Sequence, residues 1–214
     1  MGKMIPTDRF SSDEFEKLKD SLVIYRCALN TFETIIANIN DYYSSFDDDN
    51  PIEHVKYRIK SPESIAAKLK SKGLPVTAEA AVSNISDIAG ARIICSYAKD
   101  IRRIADILKT ESDIRVVSEN DYTAAPKESG YRSYHMLTEV NPGTVFGGRS
   151  CRVEVQIRTA AMDFWATLEH KAQYKYGRSI PEYLVNDLRR CAERIHELDT
   201  KMYLIHEQVD LSED

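Results

Sequence analysis

The sequence predicts an α/β (α+β) fold, a mixed sheet of about five strands flanked by helices, with a long helix near each end. Three observations predict it. Two long stretches carry apolar residues at alternating steps of three and four, the spacing of a helix seam. The middle alternates short apolar runs with helical ones. One run, Arg152 to Arg158, alternates polar and apolar residues strictly, the period of a strand with one buried face.

In chain order, Phe15, Leu18, Leu22, Tyr25, Leu29, Phe32, Ile36, Ile39, Tyr43 and Phe46 form the first seam, and Asp47 to Pro51 is the polar break that ends it. Ser61 and Pro62 are an N-cap and a first helical residue, starting a helix that runs to about Lys72 before Gly73 and Pro75 stop it. A strand is expected at Arg92 to Tyr97 and a helix from Asp100 to Thr110. Strands follow at Ile114 to Ser118, Ser133 to Val140 and Cys151 to Thr159. Asn141-Pro142-Gly143 and Gly147-Gly148 join the last two as a hairpin with a long loop. Phe164, Trp165 and Leu168 read as the core face of the next helix. Leu184, Leu188, Cys191, Ile195, Leu198, Met202 and Ile205 make the final seam. Two such seams need cover, from the chain's own core or from another subunit, and their pairing points to a homo-oligomer. The expected organisation is a helical extension over 1–50, one domain over 51–178 and a terminal helix over 179–214.

Composition narrows the function classes. With 214 residues, 43% of them hydrophobic, the chain buries one good core and has no room for two catalytic domains. A net charge of −5 argues against binding nucleic acid through global electrostatics, so no DNA partner is expected and an RNA partner is disfavoured but left open. A local basic site remains open. Cys27, Cys95, Cys151 and Cys191 are widely spaced with no Cys-x-x-Cys pair, which reads as reduced thiols. No apolar run approaches the roughly 18 residues of a membrane span, and a cytoplasmic location without membrane partners is expected.

The chemistry gathers on one strand face. Arg152, Glu154, Gln156 and Arg158 point away from Cys151, Val153, Val155 and Ile157, placing a carboxylate between cations. By itself this is equally a solvated charge ladder. A second carboxylate and arginine, Asp87 and Arg92, flank the entrance to another apolar strand. Two carboxylates can hold a divalent cation, and arginines can hold phosphates. Arg58 and Lys60 share a face if that segment is extended, and Ser64 and Lys68 lie one turn apart on the following helix. Together they can cradle a triphosphate at a helix start, although a solvated basic helix through Lys70 and Lys72 is the plainer alternative. There is no Walker loop. Around Gly130, Lys127 offers a phosphate contact, Tyr131 a face for a base and His135 a donor; a core aromatic and a satisfied sheet histidine are the alternatives.

Asp87-x-x-Gly-x-Arg92, Gly130-Tyr131-Arg132-Ser133-x-His135, Glu154-Val-Gln156-Ile-Arg158-Thr159 and Met162-Asp163-Phe164-Trp165-Ala-x-Leu-Glu169-His170-Lys171 occur in the order seen in the small alarmone synthetases, the single-domain relatives of RelA/SpoT. Arg58-Ile-Lys60-Ser-Pro-Glu-Ser64 also resembles that family's ATP site. The resemblance covers about residues 50 to 210 and implies a nucleotidyltransferase-like synthetase fold. It implies transfer of the β,γ-pyrophosphate of ATP to the 3′-hydroxyl of GDP or GTP, giving the stringent-response alarmones ppGpp and pppGpp. It implies that Arg58 and Arg92 stack on adenine and that Lys60, Ser64 and Lys68 hold the ATP phosphates. Asp87 and Glu154 would bind Mg²⁺, with Glu154 also the base. Tyr131 would stack on guanine, with Lys127, His135 and Gln156 fixing the acceptor. A homotetramer is implied, and synthesis without hydrolysis, since no residues match the His-Asp hydrolase module of the long relatives. Trp165, Glu169 and His170 are read as marks of the fold rather than of the chemistry. Tyr134 stands where the family pattern has Leu, an alteration expected in the packing behind the guanine site. The first helix is poor in lysine over Thr31 to Asn40, so activation by pppGpp is not expected. Two other functions stand beside this one: the same donor chemistry on an adenosine nucleotide or a tRNA 3′ end, and a non-catalytic RNA-binding or regulatory module.

Overall fold

A computed structural model describes residues 9–46, 49–144, 147–176 and 181–213. The first element, α1 (Ser12–Phe46), buries Leu18, Tyr25, Leu29, Phe32, Ile36 and Ile39 of its seam in the chain's own core. The strands are β1 (Ile52–Ile59), β2 (Ala89–Cys95), β3 (Ile114–Asp121), β4 (Tyr134–Val140) and β5 (Cys151–Thr159). Between them come α2 (Pro62–Ser71), α3 (Ala78–Asn84) and α4 (Ala98–Thr110); α5 (Ala160–Tyr176) and α6 (Glu182–Glu213) close the chain.

The sheet has the order β1-β2-β5-β4-β3. Only β2 and β5 run parallel, the other neighbours being antiparallel, so the sheet is mixed as expected. Alternation divides its two faces. Ile93, Met136, Val153, Val155 and Ile157 are fully buried in one cluster with Phe32 of α1 and Ile101, Ile104 and Leu108 of α4. Burying a side chain of this size contributes about 1.5–3 kcal/mol. The other face carries the polar residues. Over its β2/β5 end lies α5, whose Trp165 packs with Ala192, Leu188 and Ile195 of α6 and donates from Nε1 to the Leu188 carbonyl at 2.9 Å.

The strand expected at Arg92 to Tyr97 begins three residues earlier and ends at Cys95. Gly90 lies inside it where the Arg58 side chain crosses the strand, and a Cβ there would meet Arg58 Nε at 3.5 Å, an ordinary van der Waals contact. The chain is extended already from Ile52, β3 continues to Asp121, and the helix expected at Asp100 starts at Ala98. The seven residues of α3, capped by the Thr77 hydroxyl, form a helix that sequence periodicity did not signal. Phe164 and Leu168 are 60% and 46% exposed, so only Trp165 of that trio faces a core. Tyr134 is buried on the α1/α4 side, its hydroxyl 3.4 Å from Lys109 Nζ. Asp47 and Asp48 of the expected polar break, and residues 177–180, where the expected 178/179 boundary falls, lie outside the described residues.

Candidate active site

Strand register builds the site in two rows across the polar face. Lys56, Arg92, Gln156 and His135 are successive cross-strand partners on β1, β2, β5 and β4. One step along, Arg58, Gly90, Glu154 and Leu137 form the next row. Paired residues point to the same side, so both rows project together. Gly90 contributes no side chain, and an open cleft lies over it, lined by Lys56, Arg58, Arg92, Glu154 and Gln156 among others.

At the β1 end the cations converge on Asp87, in the turn before β2. Lys68 Nζ lies 2.7 Å from Asp87 Oδ1, Lys60 Nζ hydrogen-bonds Oδ2, and Arg58 Nη2 is 4.0 Å from Oδ2. Burial raises the Asp87 pKa, but the hydrogen bonds and charges of Lys60 and Lys68 outweigh it, so the carboxyl titrates below its ordinary range. Burial, joined by the like charges of Lys68 and Arg58, also lowers the Lys60 pKa in spite of Asp87. Ser64 is exposed in the first turn of α2, where its N-H donates to the Ser61 hydroxyl at 3.3 Å. Arg58, Lys60 and Lys68 are thus gathered around one carboxylate, with Ser64 one turn before Lys68.

At the β4 end the network is centred on Arg158, only 4% exposed. Its guanidinium donates to the Tyr131 hydroxyl, to Gln156 Oε1 at 2.7 Å, to Ser133 Oγ at 3.2 Å and to Asp163 Oδ1 at 3.1 Å. The amide of Gln156 then donates to Glu154 Oε2 at 3.1 Å. The Tyr131 hydroxyl is 2.7 Å from His135 Nε2. Arginine can only donate, so the tyrosine accepts from Arg158, and the His135 ring shares the same hydroxyl through Nε2. Burial, reinforced by the positive charges of Arg158 and Lys127, pushes the His135 pKa down to about 4, which keeps the ring neutral at pH 7. Lys127 Nζ stands 5.0 Å from the Tyr131 ring centre and 4.7 Å from that of Tyr122. The turn holding Lys127 closes with a Gly130 N-H to Lys127 carbonyl bond of 2.8 Å, and Gly130 has φ +90°. Behind it, α6 approaches closely: Arg189 Nε donates to the Glu128 carbonyl at 2.9 Å, and Gly130 faces Ala192.

The sequence reading placed Arg158 on the face of β5 that carries Glu154 and Gln156 but gave it no role, and it singled out neither Lys56 nor Asp163. Asp163 of α5 accepts from Arg92 at 3.0 Å and from Arg158, and lies 3.7 Å from Lys56 Nζ. Arg158 shares a strand face with Glu154 and Gln156, and that alternation was the signal for it. Lys56 shares a face with Arg58 in the same way. Asp163 had no such signal, because nothing in a helix sequence says which strand residues lie beneath it.

Among the described residues no group of three or more His, Cys, Asp and Glu side chains is arranged to hold a metal. Mg²⁺ does not need one: it keeps several waters and binds through one or two carboxylates together with substrate phosphates. Asp87 before β2 and Glu154 beside Gly90 fit that donor set, in a site whose cations suit the phosphates.

Residues 57–179 match the family model described as the region found in RelA / SpoT proteins. GTP pyrophosphokinase YwaC of Bacillus subtilis (strain 168) is 43% identical over 195 residues, which are 91% of this chain and 93% of that protein. GTP pyrophosphokinase YjbM of the same strain is 40% identical over 188 residues, 88% of each. The crystal structure of small alarmone synthetase 1 from Bacillus subtilis bound to its product pppGpp superposes with a TM-score of 0.84. The match is 39% identical and covers 91% of this chain and 99% of that one.

Proposed function

The chain belongs to the RelA/SpoT family, and from that membership we propose that it is a GTP pyrophosphokinase, moving the β,γ-pyrophosphate of ATP to the 3′-hydroxyl of GDP or GTP. The observation that carries this reading is the two-row sheet face, where a cation cluster around Asp87 and an aromatic pocket around Tyr131 flank Glu154. A donor triphosphate suits one end and a purine acceptor the other.

These positions support the roles that the resemblance implies. Arg58 and Arg92 hold the adenine between guanidinium planes, while Lys60, Ser64 and Lys68 take the phosphates. The lysines neutralise Asp87 until a triphosphate arrives, and the exchange costs little because each ammonium trades one anion for another. Tyr131 stacks on guanine, and Lys127, His135 and Gln156 fix the acceptor's ribose and phosphates. Glu154, steadied by Gln156, takes the proton as the 3′-oxygen bonds to the β-phosphorus, and the bond from the α-phosphate's bridging oxygen to that phosphorus breaks, releasing AMP. Asp87 and Glu154 would hold Mg²⁺, which supplies neutralisation of the developing phosphate charge. In-line positioning supplies most of the remaining acceleration.

The product is the signal of the stringent response, formed in the cytoplasm, a reading supported by four free cysteines. The working unit is a homotetramer. Support comes from α6, which leaves Leu198, Met202, Ile205 and Val209 44–60% exposed at helix-seam spacing. ATP labelled on the γ-phosphate, offered with Mg²⁺ and GDP, GTP, ADP or tRNA, tests the activity. Label on guanine nucleotides alone, lost by orders of magnitude in Glu154→Gln with melting unchanged, is expected. Label on ADP or tRNA, or no transfer, would overturn the proposal.

A further inference from the structure

The donor and acceptor ends of the cleft share one buried anion. Asp163 Oδ1 accepts from Arg92 Nη1 at 3.0 Å and from Arg158 Nη1 at 3.1 Å. The two guanidiniums repel each other, so their side-by-side arrangement depends on the carboxylate between them. The arginines differ in reach. Arg92 has 31% of its side chain exposed and lines the cleft, whereas Arg158 is buried and reaches substrate only through others. Those others are acceptor groups: Arg158 is bonded to the Tyr131 hydroxyl and to Gln156 Oε1.

On the pyrophosphokinase reading, we propose that Asp163 and Arg158 are positioning residues that couple the two nucleotide half-sites, so that ordering Arg92 on the donor orders Tyr131 and Gln156 for the acceptor. Neither residue touches substrate. The link is a rigid one: Asp163 is 9% exposed, and it is carried on a helix that begins where β5 ends. Seen from the donor side, adenine on Arg92 fixes the guanidinium that shares Oδ1. Seen from the acceptor side, guanine on Tyr131 fixes the hydroxyl that Arg158 holds. By linkage each nucleotide then tightens the other by the same factor.

The test is a kinetic double-mutant cycle. Arg92→Ala should raise the ATP KM most and, because it cuts the link, also raise the acceptor KM at saturating ATP severalfold. Asp163→Asn keeps the volume but removes the charge, and should raise both KM values about tenfold, the size of one weakened charge-assisted hydrogen bond on each side. In the double variant the ATP KM should be no higher than in Arg92→Ala alone, while the acceptor KM stays raised. A purely structural role for Asp163 would lower melting temperature and active fraction without this split. An unchanged acceptor KM in folded Asp163→Asn overturns the inference. Should that variant not fold, wild-type GDP binding with and without α,β-methylene-ATP decides: several-fold tightening is expected, and none overturns it. Failure of the wild type to transfer label to a guanine nucleotide sinks the function itself. Transfer with an unmoved acceptor KM in Asp163→Asn sinks only the coupling.

Discussion

Replacing Gly130 by alanine tests how α6 holds the acceptor turn. A Cβ built there lies 2.5 Å from the Cβ of Ala192, and φ is +90°, a conformation L-residues avoid. Absorbing both in place costs about 1–3 kcal/mol for overpacking and about 1–2 kcal/mol for the backbone. The turn has a cheaper escape. Lifting off α6 gives up the Arg189 to Glu128 hydrogen bond, about 0.5–1.5 kcal/mol net, and some contact with Ala192. The second route is favoured, so the expected result is a melting temperature lower by only a few degrees, at about 2–4 °C per kcal/mol for a chain of this size. The acceptor KM should rise severalfold, because Lys127 and Tyr131 move with the turn, while the ATP KM holds. Steady-state kinetics with each nucleotide varied in turn, alongside a thermal melt, read both. Adding Ala192→Gly should recover part of the acceptor KM by removing the atom in the way. An acceptor KM equal to wild type in Gly130→Ala would refute the idea that α6 positions the turn.

Asp87→Asn leaves Lys60 and Lys68 without their anion, so α,β-methylene-ATP should bind at least as tightly without added metal while turnover falls more than about 100-fold; calorimetry showing lost metal-free binding would count against the lysine exchange. For His135, the unfolded chain takes up a proton near pH 6.5 but the folded one only near about 4. Between those values the unfolded state binds more protons, so stability falls as pH drops, by about 2–3 kcal/mol from pH 6.5 to 4.5. Urea unfolding of His135→Gln should show that much less acid dependence than wild type, and parallel pH profiles would contradict it. Met202→Glu places a charge in the exposed α6 stripe and should reduce the mass seen by light scattering; an unchanged mass would clear that stripe of any part in assembly.

What the sequence disclosed and what it hid divide along physical lines. β5 was legible to the residue because half-buried strands alternate, and the same alternation identified Glu154 and Gln156. α1 was legible as a helix, yet its partner was not: a seam says that something covers it, and only the fold shows that the covering is the chain's own sheet. β1 is an edge strand whose Val55, Tyr57 and Ile59 alternate with Lys56 and Arg58, but its start at Ile52 follows no alternation. α3 is too short to show a period. Lys60 and Lys68 were read as phosphate ligands and Asp87 as a metal ligand, each by type. Their direct pairing spans 27 and 19 residues and depends on β1 pairing with β2 and on α2 packing against α3, which no local pattern encodes. Asp163 escaped for the same reason.

The interleaving of β5 has a consequence for how this chain tolerates change. Val153, Val155 and Ile157 hold the core, while Glu154, Gln156 and Arg158 face the chemistry. The two sets are independent in substitution and inseparable in reading frame. Exchanging Gln156 alters acceptor contacts and leaves the apolar interior untouched, whereas Glu154, the proposed base, and Arg158, buried against Asp163, do not share that freedom. Inserting or deleting a single residue within the strand would send every following side chain to the wrong side, carboxylate inward and valine outward, and lose stability and activity in one step.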